Sequence, residues 1–338
     1  MNFTQKIFSV ALLSLATLVA AAAQRIEIPL DEEWRFALAD HPGAEVVGFS
    51  DADWRTLDVP HDWAFEADYA PDAAQTDKGG YKPGGIAWYR KHFDASPEWK
   101  DQRVFIAFDG VYMNSEVWLN GQSLGKRPYG YISFEYDLTP YLKPQKNEIV
   151  VRVDSSREPS ARWYHGCGIY GHVKLITKAP VHLSKDGIYI TTPKVTDTVA
   201  EVEIQTEVTN TLNLSTNATI ETILLDPSGN QVAAAGNALK LEAGTTKLTH
   251  FKLQVTSPQR WDTATPHLYR AVTRVKINNA LVDQVTTRFG IRTLRWDTNT
   301  GFWLNERNVK LLGVCDHLEA GPVGAASPDE LIRWKIQL

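Results

Sequence analysis

Cysteine is scarce in this sequence: Cys167 and Cys315 are the only two among 338 residues. A disulfide between them would need Cα atoms within about 7 Å of each other. The two residues fall in regions that we assign below to different domains, so no bridge is predicted. Two cysteines are also too few for the disulfide framework that stabilises many small secreted domains. We therefore expect two buried, unbridged thiols.

An excess of basic charge is also missing, since 35 Lys and Arg face 40 Asp and Glu, and the net charge is −5. Nucleic-acid-binding domains carry a basic patch or stripe, so no nucleic-acid partner is predicted. The metal-ligand spacings Cys-x-x-Cys and His-Glu-x-x-His do not occur either. The residues therefore predict no metal site and no cofactor. Pro60–Asp62 places a histidine beside an acid, and we assign it no catalytic role.

Long apolar runs are almost absent, and the one exception lies at the N-terminus. Lys6 precedes the apolar run 7–19, which ends in a series of alanines before Gln24. A basic start, a short apolar centre and small residues at the end are typical of a secretory signal peptide. Even counted generously, the run has about 17 residues, fewer than the ~20 of a membrane-spanning helix. We expect residues 1–23 to be removed and the protein to be exported to the periplasm or beyond, without a membrane partner.

What the sequence has in abundance is short alternating strands. In residues 24–179, segments such as 86–94 and 147–156 alternate apolar and polar residues between turns. Asn120-Gly121 between two such segments predicts a two-residue hairpin, because both residues tolerate positive φ. With no long helical pattern, 24–179 is predicted to form an antiparallel sandwich.

Two further regions follow. Residues 180–292 are rich in Thr, Val and Asn and have the size and strand pattern of an immunoglobulin-like sandwich. In residues 293–338, Asn308–Cys315 is predicted to be a buried strand. Ser327-Pro328 before Glu330 predicts the start of a helix, with Ser327 as N-cap. One strand and one short helix cannot bury a core, so this region is predicted to be the truncated first unit of a β/α domain.

Six motifs in order make the chain resemble glycoside hydrolase family 2, the group of β-galactosidases, β-glucuronidases and β-mannosidases. The motifs are VPHDWAF (59–65), GGIAWYRKHF (84–93), FDGVYMNSEVWLNGQSLGKRPYGYISFEYDLT (108–139), ARWYHGCGIYGHVKL (161–175), RWDTATPHLY (260–269) and FGIRTLRWDTNTGFWLNERNVKLLGVCDH (289–317). The resemblance implies a mainly β chain: a jelly-roll sugar-binding domain, an immunoglobulin-like domain and the first β/α unit of a truncated (β/α)8 catalytic barrel.

The resemblance also implies which residues are missing. A retaining glycosidase uses two carboxyl groups about 5 Å apart, and in this family both are glutamates of later barrel strands. A barrel takes roughly 250 residues. After residue 309 the sequence has only Glu319 and Glu330, which we interpret as surface or capping residues. We expect this chain to contain no catalytic residue and to be inactive by itself.

The expected substrate contacts come from two segments. By resemblance, His317 lines the pocket of the sugar at the cleavage point, and Asp316 stands where related motifs often have Asn. Arg162 replaces an acidic residue of the best-known members, and its guanidinium suits a hydroxyl pair or an acidic sugar. Trp163 and Tyr164 either stack on a sugar face or fill the sandwich core.

The sequence thus predicts the N-terminal portion of an exported β-galactosidase-type hydrolase that cleaves terminal β-linked sugars in carbohydrate metabolism. A galactoside is favoured by the jelly-roll motifs, while a divalent metal in the intact enzyme and a homo-oligomer are left open. The alternative is a non-catalytic carbohydrate-binding protein. An exposed aromatic surface that binds galactosides without turnover would favour this alternative, whereas an uncovered C-terminal strand and helix would oppose it.

Overall fold

The computed structural model describes residues 25–73, 76–156, 163–317 and 319–338. The predicted signal peptide, residues 1–23, lies outside these ranges. The described chain is mainly β, as predicted, and consists of two sandwiches followed by a small sheet and one helix. Within these ranges no helix is both long and apolar enough to cross a bilayer.

The first sandwich packs a four-stranded sheet, in the order β1-β10-β5-β8, against a six-stranded sheet, in the order β3-β2-β4-β9-β6-β7. All paired strands are antiparallel. The strands are β1 (Ile26–Pro29), β2 (Trp34–Ala37), β3 (Arg55–Leu57), β4 (Ile86–Phe93), β5 (Arg103–Phe108), β6 (Ser115–Leu119), β7 (Gln122–Arg127), β8 (Phe134–Asp137), β9 (Asn147–Asp154) and β10 (Val173–Lys178). Short 3-10 helices lie at Trp63–Glu66, Thr76–Gly79 and Pro97–Trp99.

The core of the first sandwich is unusually aromatic, and this explains part of the high tryptophan content. Trp34, Trp63, Tyr89 and Phe108 are fully or almost fully buried between the two sheets. Large rings bury much apolar area per residue. Trp63 belongs to the 3-10 helix Trp63–Glu66, so its burial anchors that helix to the core.

The predicted hairpin at Asn120-Gly121 is confirmed. It joins β6 to β7, with φ of 51° at Asn120 and 79° at Gly121. Two consecutive positive φ angles define the type I′ turn that matches the twist of antiparallel strands.

The second sandwich has a three-stranded sheet, β11-β12-β15, and a four-stranded sheet, β14-β13-β16-β17. Residues of β12 alternate between buried and more exposed positions along the strand, because successive side chains point to opposite faces. The strands are β11 (Val181–Val195), β12 (Val199–Asn210), β13 (Thr216–Leu225), β14 (Gln231–Leu241), β15 (Thr246–Thr256), β16 (Tyr269–Ile277) and β17 (Ala280–Phe289).

The C-terminal segment contains a small sheet of β18 (Leu294–Asp297), β19 (Gly301–Leu304) and β20 (Arg307–Asn308), a 3-10 helix at Gly321–Val323 and the helix α1 (Asp329–Gln337). The predicted strand Asn308–Cys315 is wrong: β20 ends at Asn308, and residues 309–317 have no regular structure. Val314 is 93% exposed. A strand of this kind forms only against a neighbour that accepts its hydrogen bonds.

Two local predictions in this segment also need correction. Helix α1 begins at Asp329 after Pro328, which occupies the cap position without a side-chain cap, so Ser327 is not the N-cap. Cys167 is buried as predicted, but Cys315 is exposed because it lies in the uncovered 309–317 segment. The two thiols are not bridged to each other.

Candidate functional site

Three exposed aromatic side chains lie close together at one end of the first sandwich. Tyr129, Tyr131 and Trp163, here called the aromatic face, are 59%, 40% and 46% exposed. The ring centroids of Tyr129 and Tyr131 are 5.6 Å apart. The Trp163 ring meets His165 at 6.4 Å, and His165 stacks on Tyr112, the neighbour of Tyr131. Burial of its inner side and the neighbouring tyrosines raise the pKa of Tyr131. Its phenol therefore stays neutral at physiological pH and can act as donor or acceptor.

His317 of the C-terminal segment lies against this face. Its ring centroid is 5.9 Å from that of Trp163, with 50° between the planes. His317 Nδ1 is 3.5 Å from Glu319 Oε1. Glu319 Oε2 is buried and, among the residues that the structure describes, has no hydrogen-bond partner. We predicted a surface or capping residue, and the Glu319 side chain is 31% exposed with one buried oxygen. It is paired with a histidine rather than with a second carboxyl group.

Asp316 is bonded to helix α1. Lys335 of α1 donates to Asp316 Oδ1 at 3.0 Å, and 63% of the Asp316 side chain is exposed. Asp316 and His317 both line a cavity of about 410 Å³ between the first sandwich and α1. The opposite wall is formed by residues that include Pro60, Tyr170 and His172. The structure thus brings Asp316 and His317 to one cavity, and His317 is the one of the two that also meets the Trp163 ring.

Tyr164 packs against the core of the first sandwich, which is the second of the two positions that we predicted for it. Its ring meets Phe65 edge to face at 5.0 Å, and its hydroxyl donates to the Asp62 carboxylate at 2.6 Å. Burial, with the Asp62 charge nearby, raises the pKa of Tyr164 far above its ordinary range. Arg162, the remaining predicted contact, lies outside the described residues.

Sequence reasoning missed Asp62, the acid of the Pro60–Asp62 segment. It is 4% exposed and accepts hydrogen bonds from three parts of the chain. The adjacent His61 is also buried, with Nδ1 2.8 Å from the Tyr89 hydroxyl and Nε2 3.2 Å from Glu66 Oε1. Burial lowers the pKa of His61, against the opposing effect of Glu66. The His-Asp pair was the only signal in the sequence, and burial cannot be inferred from it.

Two catalytic arrangements can be tested directly against the geometry. Gly121–Gly125 matches the Gly-x-Ser-x-Gly spacing of hydrolase nucleophiles, but Ser123 lies exposed on β7. The motif requires a sharp turn from a strand to a helix, so Ser123 is not such a nucleophile. Within the described ranges no three His, Cys, Asp or Glu side chains are grouped to hold a metal ion.

The arrangement suits recognition of polar ring compounds. Aromatic faces bind apolar ring surfaces, and a neutral imidazole offers one donor and one acceptor. Two family models match the chain: "Glycosyl hydrolases family 2, sugar binding domain" over residues 28–179 and "Glycosyl hydrolases family 2" over residues 181–292. The chain belongs to glycosyl hydrolase family 2.

Similar members of family 2 carry two different names. The chain is 45% identical to a putative β-glucuronidase of Formosa agariphila over 93% of its own length and 30% of that protein. It is also 45% identical to a β-galactosidase of Bacteroides ovatus, over 90% of its own length and 36% of that protein. A crystal structure of a β-glycosidase from Bacteroides vulgatus superposes with a TM-score of 0.84 and 36% identity, over 92% of this chain and 40% of that one. The chain thus spans about a third of the length of these curated relatives.

Proposed function

We propose that this chain is the N-terminal, substrate-binding portion of an exported, retaining glycoside hydrolase of the β-galactosidase type. The complete protein hydrolyses terminal β-linked sugars. The chain alone is inactive, because both catalytic glutamates belong to barrel strands outside it. The observation that carries the proposal is the exposed aromatic face with His317 against Trp163, in a chain of glycosyl hydrolase family 2.

The chemistry of sugars supports this use of the aromatic face. One face of a galactose ring carries several C–H groups and packs on an indole, while the hydroxyl groups at its edge need donors and acceptors. Trp163 supplies the apolar surface, and His317 and Tyr131 supply hydrogen bonds beside it. The Tyr164 hydroxyl already donates its proton to Asp62, so Tyr164 contributes less to this surface than Trp163 does.

Galactoside is our proposed substrate, and glucuronide is its competitor. The jelly-roll motifs favour galactoside. The two relatives at 45% identity do not favour either sugar, because one is named a putative β-glucuronidase and the other a β-galactosidase. Arg162 would suit the carboxylate of a glucuronide. The affinities of the chain for methyl β-galactoside and methyl β-glucuronide therefore decide between the two substrates.

The second candidate function is that of a non-catalytic carbohydrate-binding protein. The exposure of Tyr129, Tyr131 and Trp163 favours it. The uncovered apolar residues of the 309–317 segment and of α1, among them Leu312, Val314 and Ile336, favour the hydrolase portion instead. The two candidate functions use the same binding surface. They differ in whether a longer protein from the same reading frame hydrolyses the bound glycoside.

The first prediction concerns Trp163. We expect the chain to bind methyl β-galactoside in isothermal titration without hydrolysing 4-nitrophenyl β-galactoside. Trp163→Ala is expected to weaken binding roughly tenfold, because ring stacking and its buried area are lost. Trp296→Ala is the matched control: Trp296 is 71% exposed on β18 in the small sheet. Its removal is expected to leave affinity unchanged.

Four results would contradict the proposal. Equal affinity of the wild type and Trp163→Ala would exclude the aromatic face, and preferential binding of methyl β-glucuronide would exclude the galactoside. Turnover by the chain itself would show that it holds a catalytic pair. Absence of turnover by the longer product, with binding intact, would favour the carbohydrate-binding protein.

A further inference from the structure

The Asp62 carboxylate is the meeting point of three segments that are far apart in sequence. Asp62 is almost completely buried at the start of the 3-10 helix Trp63–Glu66. One segment is its own helix, the second is the loop of Tyr164 and Cys167, and the third is the C-terminal loop around Ala325, 263 positions along the chain.

Each segment donates at least one hydrogen bond to this carboxylate. The backbone N–H groups of Ala64 and Cys167 donate to Oδ1 at 3.3 and 3.0 Å. The Tyr164 hydroxyl is 2.6 Å from both oxygens, and the Ala325 N–H donates to Oδ2 at 2.8 Å. Local capping of the helix explains only the Ala64 bond. The other bonds hold separate segments together.

The C-terminal loop is shaped to reach Oδ2. Gly324 has φ of +59°, and a Cβ on it would lie within 2.5 Å of the Phe65 ring and closer still to Asp62 Oδ2. On the other side, a Cβ on Gly166 would lie 2.5 Å from the Ala325 Cβ. Glycines at both positions allow the backbone to approach the buried carboxylate. Ala325 is itself buried.

The same contacts fix the two sides of the candidate site. Tyr164 is the residue after Trp163, so its bond to Asp62 also holds the Trp163 backbone. Ala325 lies in the same C-terminal segment as His317, further along the chain. We propose that Asp62 is a positioning residue: its carboxylate latches the C-terminal loop to the first sandwich and so holds His317 against Trp163. The positioning role rests on the proposed function, whereas the latch rests only on the hydrogen bonds above.

The test compares two glycines of one loop. Gly324→Ala places a Cβ against Asp62 Oδ2 and the Phe65 ring and so pushes the loop off Asp62. Gly321→Ala is the control, because Gly321 also has positive φ, +48°, and has nothing within 4 Å of its Cβ position. Amide hydrogen exchange of the Ala325 peptide is expected to become roughly tenfold to a hundredfold faster in Gly324→Ala. In Gly321→Ala it is expected to stay close to the wild-type rate.

Asp62→Asn is the second variant, since it keeps the side-chain shape and removes the charge and one acceptor. We expect it to accelerate Ala325 exchange in the same way, while peptides of β12 in the second sandwich keep their wild-type rates. Both latch variants are expected to bind methyl β-galactoside roughly tenfold more weakly than the wild type.

The outcomes separate the latch from the proposed function. Unchanged exchange at Ala325 in Gly324→Ala and Asp62→Asn would overturn the latch, whether or not the wild type binds galactoside. Faster exchange with unchanged affinity would overturn the positioning role. Faster exchange in a chain whose wild type binds no galactoside would reject the proposed function and leave the latch standing.

Discussion

At the scale of single residues, burial decides which histidines can be charged. His182 is buried between the two sandwiches, with Nδ1 2.8 Å from the Ala179 carbonyl and its ring edge on Phe105. Because only an N–H can donate to that carbonyl, Nδ1 carries a proton. Burial is the main cause that lowers the pKa of His182 from 6.5 to about 4.

This lowered pKa predicts acid sensitivity. In the unfolded chain His182 takes up a proton near pH 6.5, whereas in the folded chain it does so only near pH 4. The stability that it contributes is therefore present above pH 6.5 and is lost as the pH falls to about 4. The loss is about 3 kcal/mol. Urea unfolding at pH 7 and pH 4.5 measures it.

His182→Asn keeps a donor for the Ala179 carbonyl and removes the titration, so the pH dependence of stability should become weaker. Burial also lowers the pKa of His61 and of His165, and these residues account for part of the remaining dependence. His250→Asn, at an exposed position of β15, is the control. An identical pH dependence in the wild type and His182→Asn would contradict the interpretation.

At the scale of elements, the β6–β7 turn does more than reverse the chain. The Asn120 side chain donates to the Tyr141 carbonyl at 2.8 Å and to Asn147 Oδ1 at 3.0 Å. Its Oδ1 accepts from the Glu148 N–H at 3.1 Å. The turn geometry is predictable from Asn-Gly, but these bonds connect it to β9 and to the loop before it.

Asn120→Gly tests this second role. Glycine adopts the same positive φ, so the hairpin should persist, while a lost side chain leaves buried groups unpaired at a cost of about 1–3 kcal/mol. The control is Asn279→Gly in the β16–β17 turn, where Asn279 is exposed at φ 66°. Its urea midpoint should not move. Equal midpoints for the two variants would show that the Asn120 bonds contribute nothing.

The C-terminal segment shows where pattern reasoning fails at this scale. An apolar run such as 311–315 predicts a buried strand only if neighbouring strands exist to pair with it. In the described chain the last strand of the β18–β20 sheet ends at Asn308, and Val309 adds one backbone hydrogen bond to Phe302 of β19. Residues 310–317 belong to no strand. Helix α1 was predicted within one residue, because its start depends on Pro328 and the acidic residues that follow it.

At the scale of the whole molecule, a buried ion pair ties the N-terminal end of the described chain to the second sandwich. Arg25 donates to both oxygens of Asp283, at 3.2 and 3.0 Å, and to the Leu183 carbonyl at 2.7 Å. Asp283 is fully buried and also accepts from the Leu183 N–H at 2.7 Å. Together with Arg103, which donates twice to Thr211, this pair fixes the two sandwiches side by side.

Asp283→Asn leaves the Arg25 guanidinium without its charged partner. Removing one member of a buried pair typically costs about 3–5 kcal/mol, so the urea midpoint should fall clearly. The control is Glu203→Gln, which breaks the exposed pair with Lys252, because many such surface pairs contribute nothing measurable. A midpoint of Asp283→Asn as high as that of Glu203→Gln would show that the Arg25 bond does not stabilise the interface.

The sequence by itself determined the mainly β fold, the Asn120-Gly121 turn and the family, because alternation, turn chemistry and ordered motifs are local properties of the chain. It also singled out His317, Asp316, Arg162, Trp163 and Tyr164 as candidates. Only the tertiary structure decided that Trp163 contacts His317, that the Tyr164 hydroxyl is hydrogen-bonded to the buried Asp62, and that Asp316 is bonded to Lys335 of α1. The first two pairings join residues more than a hundred positions apart, and the third depends on how α1 packs beside an irregular segment. No local pattern in the sequence records such contacts.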